Sequence, residues 1–90
     1  MYRILPIKSA VKRQIEKLPS AHKERLAGAF EDIERNPRHH QSGWIGKLKG
    51  RKWRGTWHYE LAYHYRIHYK IDETDKTVKI TYVGPHPTSY

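Results

Sequence analysis

The spacing of apolar residues changes once along this 90-residue chain, and that change limits the possible folds more than any other feature. Between residues 9 and 37, apolar side chains recur every three or four positions, as on one face of an α-helix. Between residues 57 and 82 they alternate with polar ones, as in strands that bury one face of a sheet. The sequence therefore predicts helices followed by strands, within a single domain of residues 1–90.

The helical part divides into two helices joined by a short turn. A short strand at residues 2–7 comes first. One helix is predicted from a Ser9 cap to about Leu18, and a second from a Ser20 cap to Asn36-Pro37, because serine favours helix starts and a residue before proline disfavours helix. So short a joint predicts an antiparallel helical hairpin. The apolar stripes are Val11, Ile15 and Leu18 on the first helix, and Leu26, Ala29, Phe30 and Ile33 on the second.

Residues 38–46 predict a loop, because they contain two glycines and a serine. Three alternating strands follow, and a polar hairpin loop at residues 72–76 joins the last two. The order is β-α-α-β-β-β, an α+β fold in which the helical hairpin covers one face of a small, mainly antiparallel sheet. The apolar sets of the three strands are Trp57, Tyr59 and Leu61; Tyr65, Ile67, Tyr69 and Ile71; and Val78, Ile80 and Tyr82.

A net charge of +9 indicates the class of partner, and its position along the chain matters more than its size. Residues 38–70 hold eight Lys or Arg, five His and a single acid, Glu60. A focused basic region with interleaved aromatic residues favours nucleic acid, although it would also attract an acidic protein, and a basic face can simply aid solubility. The residues predicted to hold RNA are Lys47, Lys49, Arg51, Lys52, Arg54, His58 and His68.

Composition also limits the expected location and chemistry. There is no cysteine, so a secreted fold stabilised by disulfides is not expected. No apolar run approaches the ~20 residues of a membrane span. The apolar stretch at the start of the sequence is too short for a signal peptide. The expected location is the cytoplasm, without a membrane partner. No residues have the spacing of a metal site, and no cofactor is expected.

The polar face of the predicted sheet has the groups needed to cleave a phosphodiester. By alternation, His58, Glu60, Arg66, His68 and Lys70 leave the sheet on the side away from the tyrosines. Cleavage through a ribose 2′-OH needs a general base, a general acid and a cation on the phosphate, and no metal. Arg66 suits the phosphate because its planar fork matches phosphate oxygens, and histidine suits proton transfer because its usual pKa is about 6.5.

Short motifs along almost the whole chain resemble those of RelE/ParE-superfamily toxins. The order of helices and strands is similar, and so is the spacing of the motifs within it. The similar segments are Lys8-Ser9-Ala10, Lys17-Leu18-Pro19, Asn36-Pro37, Lys47-Leu48-Lys49-Gly50, the stretch from Trp57 through Arg66 to Asp72, and Val83-Gly84 with His86. The resemblance implies the RelE-like fold.

The resemblance also implies the toxin of a type II toxin–antitoxin system, neutralised by a cognate antitoxin protein. Most RelE-like members cut mRNA in the ribosomal A site by 2′-OH attack without a metal, so the ribosome and its mRNA are implied partners. By position, Arg66 corresponds to the strand arginine that holds the scissile phosphate, and His86 to a C-terminal histidine acid. Glu60 or His64 is the implied base, and Tyr90 corresponds to a terminal tyrosine.

Several alternatives remain open. His58 competes with Glu60 and His64 as the base. ParE-like members of the superfamily inhibit DNA gyrase without cutting RNA, and a third possibility is an inactive member that still binds an antitoxin. RelE proper uses strand lysines where this chain has residues 57–59, Trp-His-Tyr, so a mechanism driven by lysine is not expected.

Overall fold

The computed structural model describes residues 1–86, in which two helices pack against one five-stranded sheet. None of the helices in this part of the chain is long and apolar enough to cross a lipid bilayer. The helices are α1 (Ser9–Glu16) and α2 (Ser20–Arg35), and a 3₁₀ turn spans Arg51–Trp53. The strands are β1 (Arg3–Ile4), β2 (Ile45–Lys47), β3 (Thr56–Ala62), β4 (Tyr65–Asp72) and β5 (Thr77–Pro85).

The sheet has the order β1-β5-β4-β3-β2, and every neighbouring pair is antiparallel except β1 with β5. The predicted α+β class, with the helices on a mainly antiparallel sheet, is confirmed. Strand β2 was not predicted, and it overlaps the end of the predicted loop at residues 38–46. The loop prediction is wrong at Ile45 and Gly46, which pair with Tyr59 and His58 of β3. The missing side chain of Gly46 leaves room for the His58 ring, since a Cβ on Gly46 would lie 2.9 Å from His58 Nε2.

The ends of the first elements differ from the predicted ones by a few residues. Both predicted serine caps lie just inside the helices, since Lys8 and Pro19 occupy the N-cap positions and neither helix has a side-chain cap. Leu18 lies beyond the end of α1, although its side chain is still buried in the core. Strand β1 ends before Pro6, which has no amide hydrogen to donate to a neighbouring strand.

One hydrophobic core fills the space between the two helices and the sheet. Two tyrosines bury their hydroxyls there with partners. Tyr69 donates to the carbonyl oxygen of Pro37 at 2.7 Å, and Tyr59 donates to the carboxylate of Asp32 at 2.6 Å. Burial raises the pKa of both phenols above the usual range. Because the helices cover this face, the opposite face of the sheet is the one open to a ligand.

An irregularity in β5 shifts the phase of that strand by one residue. On one side of it Tyr69 of β4 pairs with Ile80, and on the other His68 pairs with Tyr82, so Thr81 has no partner in register. One extra residue of this kind is a β-bulge, and a shift of one residue moves every later side chain to the opposite face. The prediction that Tyr82 belongs to the core set of its strand is therefore wrong, because the bulge turns it to the polar face beside His68.

Candidate active site on the polar face of the sheet

Strand register brings the predicted polar residues into two adjacent rows across the sheet. In one row, Glu60 of β3 lies opposite Arg66 of β4, which lies opposite Gly84 of β5. Directly opposed residues of antiparallel strands project from the same face with Cβ atoms roughly 5 Å apart, so each row forms a line of neighbouring side chains. The adjacent row consists of His58, His68 and Tyr82.

The centre of this cluster is an ion pair between Arg66 and Glu60. The Nε of Arg66 donates to Glu60 Oε1 at 2.5 Å, and the two side chains are 17% and 33% exposed. His58 Nδ1 lies 3.8 Å from the same carboxylate oxygen. A charge-assisted hydrogen bond of this kind fixes both groups in position. Because the pair is partly exposed, it is the point on this face where an incoming anion would compete for the guanidinium.

Burial keeps two histidines of the cluster neutral near neutral pH. Burial lowers the pKa of His58, and the charge of Arg66 adds to that effect more than the Glu60 carboxylate opposes it. Burial also lowers the pKa of His68 to about 4, with smaller contributions from His58 and Arg66. A neutral imidazole can accept a proton. His58, which lies beside the Glu60 carboxylate, therefore has the protonation state of a general base.

His86 reaches the same cluster from the end of β5. The phase set by the bulge turns it toward the face that carries Arg66, and its charge acts on the pKa of both His58 and His68. Its amide donates to the carbonyl oxygen of His64 at 2.6 Å, which fixes the end of β5 against the β3–β4 turn. A residue that is distant in sequence from Glu60 thus lies in the same cluster.

One predicted catalytic residue lies apart from this cluster, and another falls outside the described residues. His64 lies in the β3–β4 turn with a φ of 65°, is exposed, and packs its ring against Tyr63 with the centroids 3.9 Å apart. No part of the pKa shifts of His58 and His68 comes from it. Tyr90 is beyond residue 86. Of the three candidate bases, Glu60 and His58 therefore lie together in the cluster and His64 lies apart from it.

Two aromatic residues that the sequence did not assign to the site close over His68. The rings of Trp53 and Tyr82 each lie 5.1 Å from the His68 ring, measured between centroids. Tyr82 donates its hydroxyl to the carbonyl oxygen of Pro85 at 2.7 Å and passes over Gly84, where a Cβ would lie 2.9 Å from that hydroxyl. His68 is only 1% exposed, so its ring lies beneath the surface and not on it, where the predicted contact with RNA would require it.

The predicted basic segment divides between the two faces of the sheet. Lys47 pairs in register with Trp57, which packs against the core, and its ammonium lies 5.9 Å from the centroid of that ring. Strand β2 therefore turns Lys47 away from Arg66, contrary to the prediction that it shares a ligand with the rest of the segment. The other four residues, Lys49, Arg51, Lys52 and Arg54, are exposed around the 3₁₀ turn.

A separate groove of about 720 Å³ lies between α2 and the end of β3. Trp44 and Tyr63 stand in its lining with 46% and 85% of their surface exposed. The ring of His40 stacks on Trp44 at 4.5 Å, and His40 Nε2 lies 3.2 Å from the Asp32 carboxylate, so the rim of the groove is held in place. Within residues 1–86, no three His, Cys, Asp or Glu side chains are grouped so as to bind a metal ion.

Comparisons with known proteins agree with the fold and indicate a family. Residues 6–90 match the family model described as the ParE toxin of the type II toxin–antitoxin system parDE. No curated protein sequence matches the chain.

Solved structures from several organisms share the fold over nearly their whole length. A chain of the archaeal RelE–RelB complex from Pyrococcus horikoshii OT3 is 26% identical, with a TM-score of 0.75 and 98% of both chains covered. A chain of the toxin–antitoxin complex RelBE2 from Mycobacterium tuberculosis is 24% identical, with a TM-score of 0.73 over 93% of this chain and 96% of that one. A chain of the YoeB–YefM complex from Staphylococcus aureus is 17% identical, with a TM-score of 0.72 over 97% and 99%.

Proposed function

Because this chain belongs to the ParE toxin family, within the RelE/ParE superfamily of type II toxins, we propose that it is an endoribonuclease that cleaves mRNA in the ribosomal A site. The observation that carries the proposal is the cluster of Glu60, Arg66, His58 and His86 on the partly exposed polar face of the sheet. A cation beside proton donors and acceptors is what attack by a ribose 2′-OH requires.

In the proposed mechanism, Arg66 receives the scissile phosphate. In the resting protein its Nε is bound to Glu60 Oε1. A phosphate offers two oxygens to the planar guanidinium and so competes with the carboxylate for the same group. Displacing Glu60 places the phosphate and also frees a carboxylate oxygen to take a proton. Substrate binding and the activation of the base are therefore one event.

Proton transfer follows from the positions of the remaining groups. Glu60, or His58 beside it, takes the proton of the 2′-OH as the 2′-oxygen attacks phosphorus. The bond from phosphorus to the 5′-oxygen breaks, which leaves a 2′,3′-cyclic phosphate on one fragment. His86 gives a proton to the departing 5′-oxygen, so one proton leaves the substrate and one is returned to it. Arg66 neutralises the charge that develops on the phosphorane.

A second candidate function is inhibition of DNA gyrase, favoured by the family match to a ParE toxin. A protein that only binds gyrase needs no proton transfer. Substitution of Glu60 or His86 would then leave toxicity intact, whereas the nuclease requires both.

An antitoxin is the proposed protein partner in either case, because the similar chains from P. horikoshii and S. aureus come from complexes with RelB and YefM. The groove between α2 and β3 is the proposed docking surface. It combines a concave shape with two exposed aromatic side chains, Trp44 and Tyr63, which are residues that often dominate the energy of protein interfaces.

The experiment that tests the nuclease compares cells in which wild type, Arg66→Ala or His86→Ala is induced, with cut sites mapped on mRNA by primer extension. Arrested growth with cuts in translated codons is expected for wild type and is lost in both variants. Each variant has a matched control on an exposed site away from the cluster: Arg13→Ala for the arginine and His39→Ala for the histidine.

Arrested growth with intact mRNA, unchanged in Arg66→Ala and His86→Ala, would contradict the nuclease and support the binding of gyrase. Supercoiling by purified gyrase in the presence of the toxin would then be the decisive assay.

A further inference from the structure

A row of three lysines lies outside the cluster around Arg66, and two of them project from the polar face of the sheet. Lys70 of β4 lies directly opposite Lys79 of β5. Lys8, which precedes α1, lies close enough to Lys79 for its positive charge to lower the pKa of Lys79. All three side chains are exposed. Like charges placed directly opposite each other across strands are destabilising, so the arrangement is not explained by the stability of the fold.

No carboxylate in the described part of the chain forms an ion pair with any member of this lysine row. Asp72 is the closest acid along β4, but its Oδ1 accepts the amide of Asp75 in the hairpin loop. The other acid of that loop, Glu73, is already bound by Arg38, Lys76 and Tyr2. Within residues 1–86, the lysine row therefore carries a local positive charge that no ion pair balances, and this charge would attract an external anion.

The lysine row lies at a useful distance from Arg66. Lys70 lies four positions from Arg66 along an extended strand, which is about 13 Å. A single phosphate cannot touch both, but one strand of nucleic acid can. Between them lies His68, covered by the half-buried rings of Trp53 and Tyr82. Aromatic rings between cationic groups are the arrangement on which single-stranded nucleic acids stack their bases.

We propose that Lys8, Lys70 and Lys79 form a second phosphate-binding site, which holds the backbone of the RNA strand away from the scissile bond. The strand would pass over Trp53 and Tyr82 on its way from Arg66. The identity of the ligand as RNA rests on the proposed function. The anion-binding property rests only on the three lysines, so the two can be tested separately.

The test measures binding of purified protein to 2′-O-methyl oligonucleotides, which have no free 2′-OH to react. Binding of an eight-nucleotide strand is followed by fluorescence anisotropy across a series of salt concentrations. For single strands, the slope of log Kobs against log salt changes by about 0.7 for each phosphate contact. The triple variant Lys8→Gln, Lys70→Gln, Lys79→Gln is expected to flatten the slope by about 0.7 to 2 and to leave binding of a two-nucleotide strand unchanged.

The control is the triple variant Lys12→Gln, Lys17→Gln, Lys23→Gln, which removes the same charge from exposed positions at the helices. It is expected to leave the slope within about 0.3 of wild type. Equal slopes for the two triple variants, or a lysine-row variant identical to wild type, would overturn the proposal. So would a lysine-row variant that keeps the RNA slope but loses binding to poly-glutamate, because the row would then serve an acidic protein.

Failure of this site and failure of the proposed nuclease give different results. If Arg66→Ala still cuts mRNA, the nuclease mechanism is wrong, while the slope measurement is unaffected because its probe cannot be cut. If the slope does not change in the lysine-row variant, the second site is wrong, while the loss of cutting in Arg66→Ala still supports the nuclease.

Discussion

The buried imidazole of His68 predicts that mild acid destabilises this protein. Its pKa is about 4 in the folded state, against about 6.5 in an unfolded chain. As the pH falls between these values, the unfolded state binds a proton that the folded state does not, so the equilibrium shifts toward unfolding. The contribution of a neutral His68 to stability is complete above about pH 6.5 and is lost progressively as the pH falls toward about 4.

The size of the effect follows from the two pKa values. Each pKa unit corresponds to about 1.4 kcal/mol, so the complete loss is about 3 kcal/mol, and about 2 kcal/mol is already lost at about pH 5. His68 is 1% exposed, so solvent does not screen the effect appreciably. For a small domain with a total stability of roughly 5–15 kcal/mol, such a loss is easily measured.

The assay is urea denaturation of wild type and His68→Gln at a series of pH values from about 7.5 to 5. Carboxylates also lose stabilising interactions in acid, but they do so in both proteins, and the difference between the two curves isolates His68. The exposed His39→Gln serves as a control and is expected to follow wild type. Parallel curves for wild type and His68→Gln would show that His68 titrates normally in the folded protein, which would refute the reasoning.

Two further substitutions test the site and the groove. Gly46→Ala places a Cβ 2.9 Å from His58 Nε2 and must displace that ring, so RNA cleavage is expected to fall by roughly 10- to 100-fold in an assay on purified ribosomes. Gly28→Ala is the control, because a Cβ added there would meet no atom within 4 Å beyond its own helix. Full activity of Gly46→Ala would exclude His58 from the mechanism. Trp44→Ala is expected to weaken binding of the antitoxin by roughly tenfold or more in titration calorimetry while cleavage is retained, and an unchanged affinity would move the docking surface elsewhere.

Most of the fold could be predicted because periodicity reports burial directly. The stripe containing Leu26 and Ile33 and the alternating set containing Ile67 and Tyr69 are the buried core of the structure. Strand β2 could not be predicted in this way, because a strand of three residues centred on Gly46 is too short to show alternation. Lys47 was assigned to the wrong face for the same reason, because the face of a side chain is defined only once its strand is known.

The candidate site was less accessible to sequence reasoning than the core. Alternation placed Glu60 and Arg66 on one face, but only the pairing register shows that they are direct neighbours. Alternation by itself would also have turned His86 toward the helices, because His86 is an even number of residues from Ile80 in the core. Its place beside Arg66 depends on the bulge, which has no signature in the sequence, and only the family resemblance indicates His86 as a site residue.

The extra residue at Thr81 limits which mutations β5 can accept during evolution. Thr81 is exposed and lies between registers, so many different side chains fit at that position. A deletion or insertion of a single residue between Ile80 and Gly84 is a different kind of change, since it would exchange the two faces of the strand end and carry His86 to the side of the helices. This part of β5 therefore tolerates substitution of its residues but not a change in their number. In a relative whose alignment has a one-residue gap at this point, the last histidine is therefore expected on the side of the helices and not in this cluster.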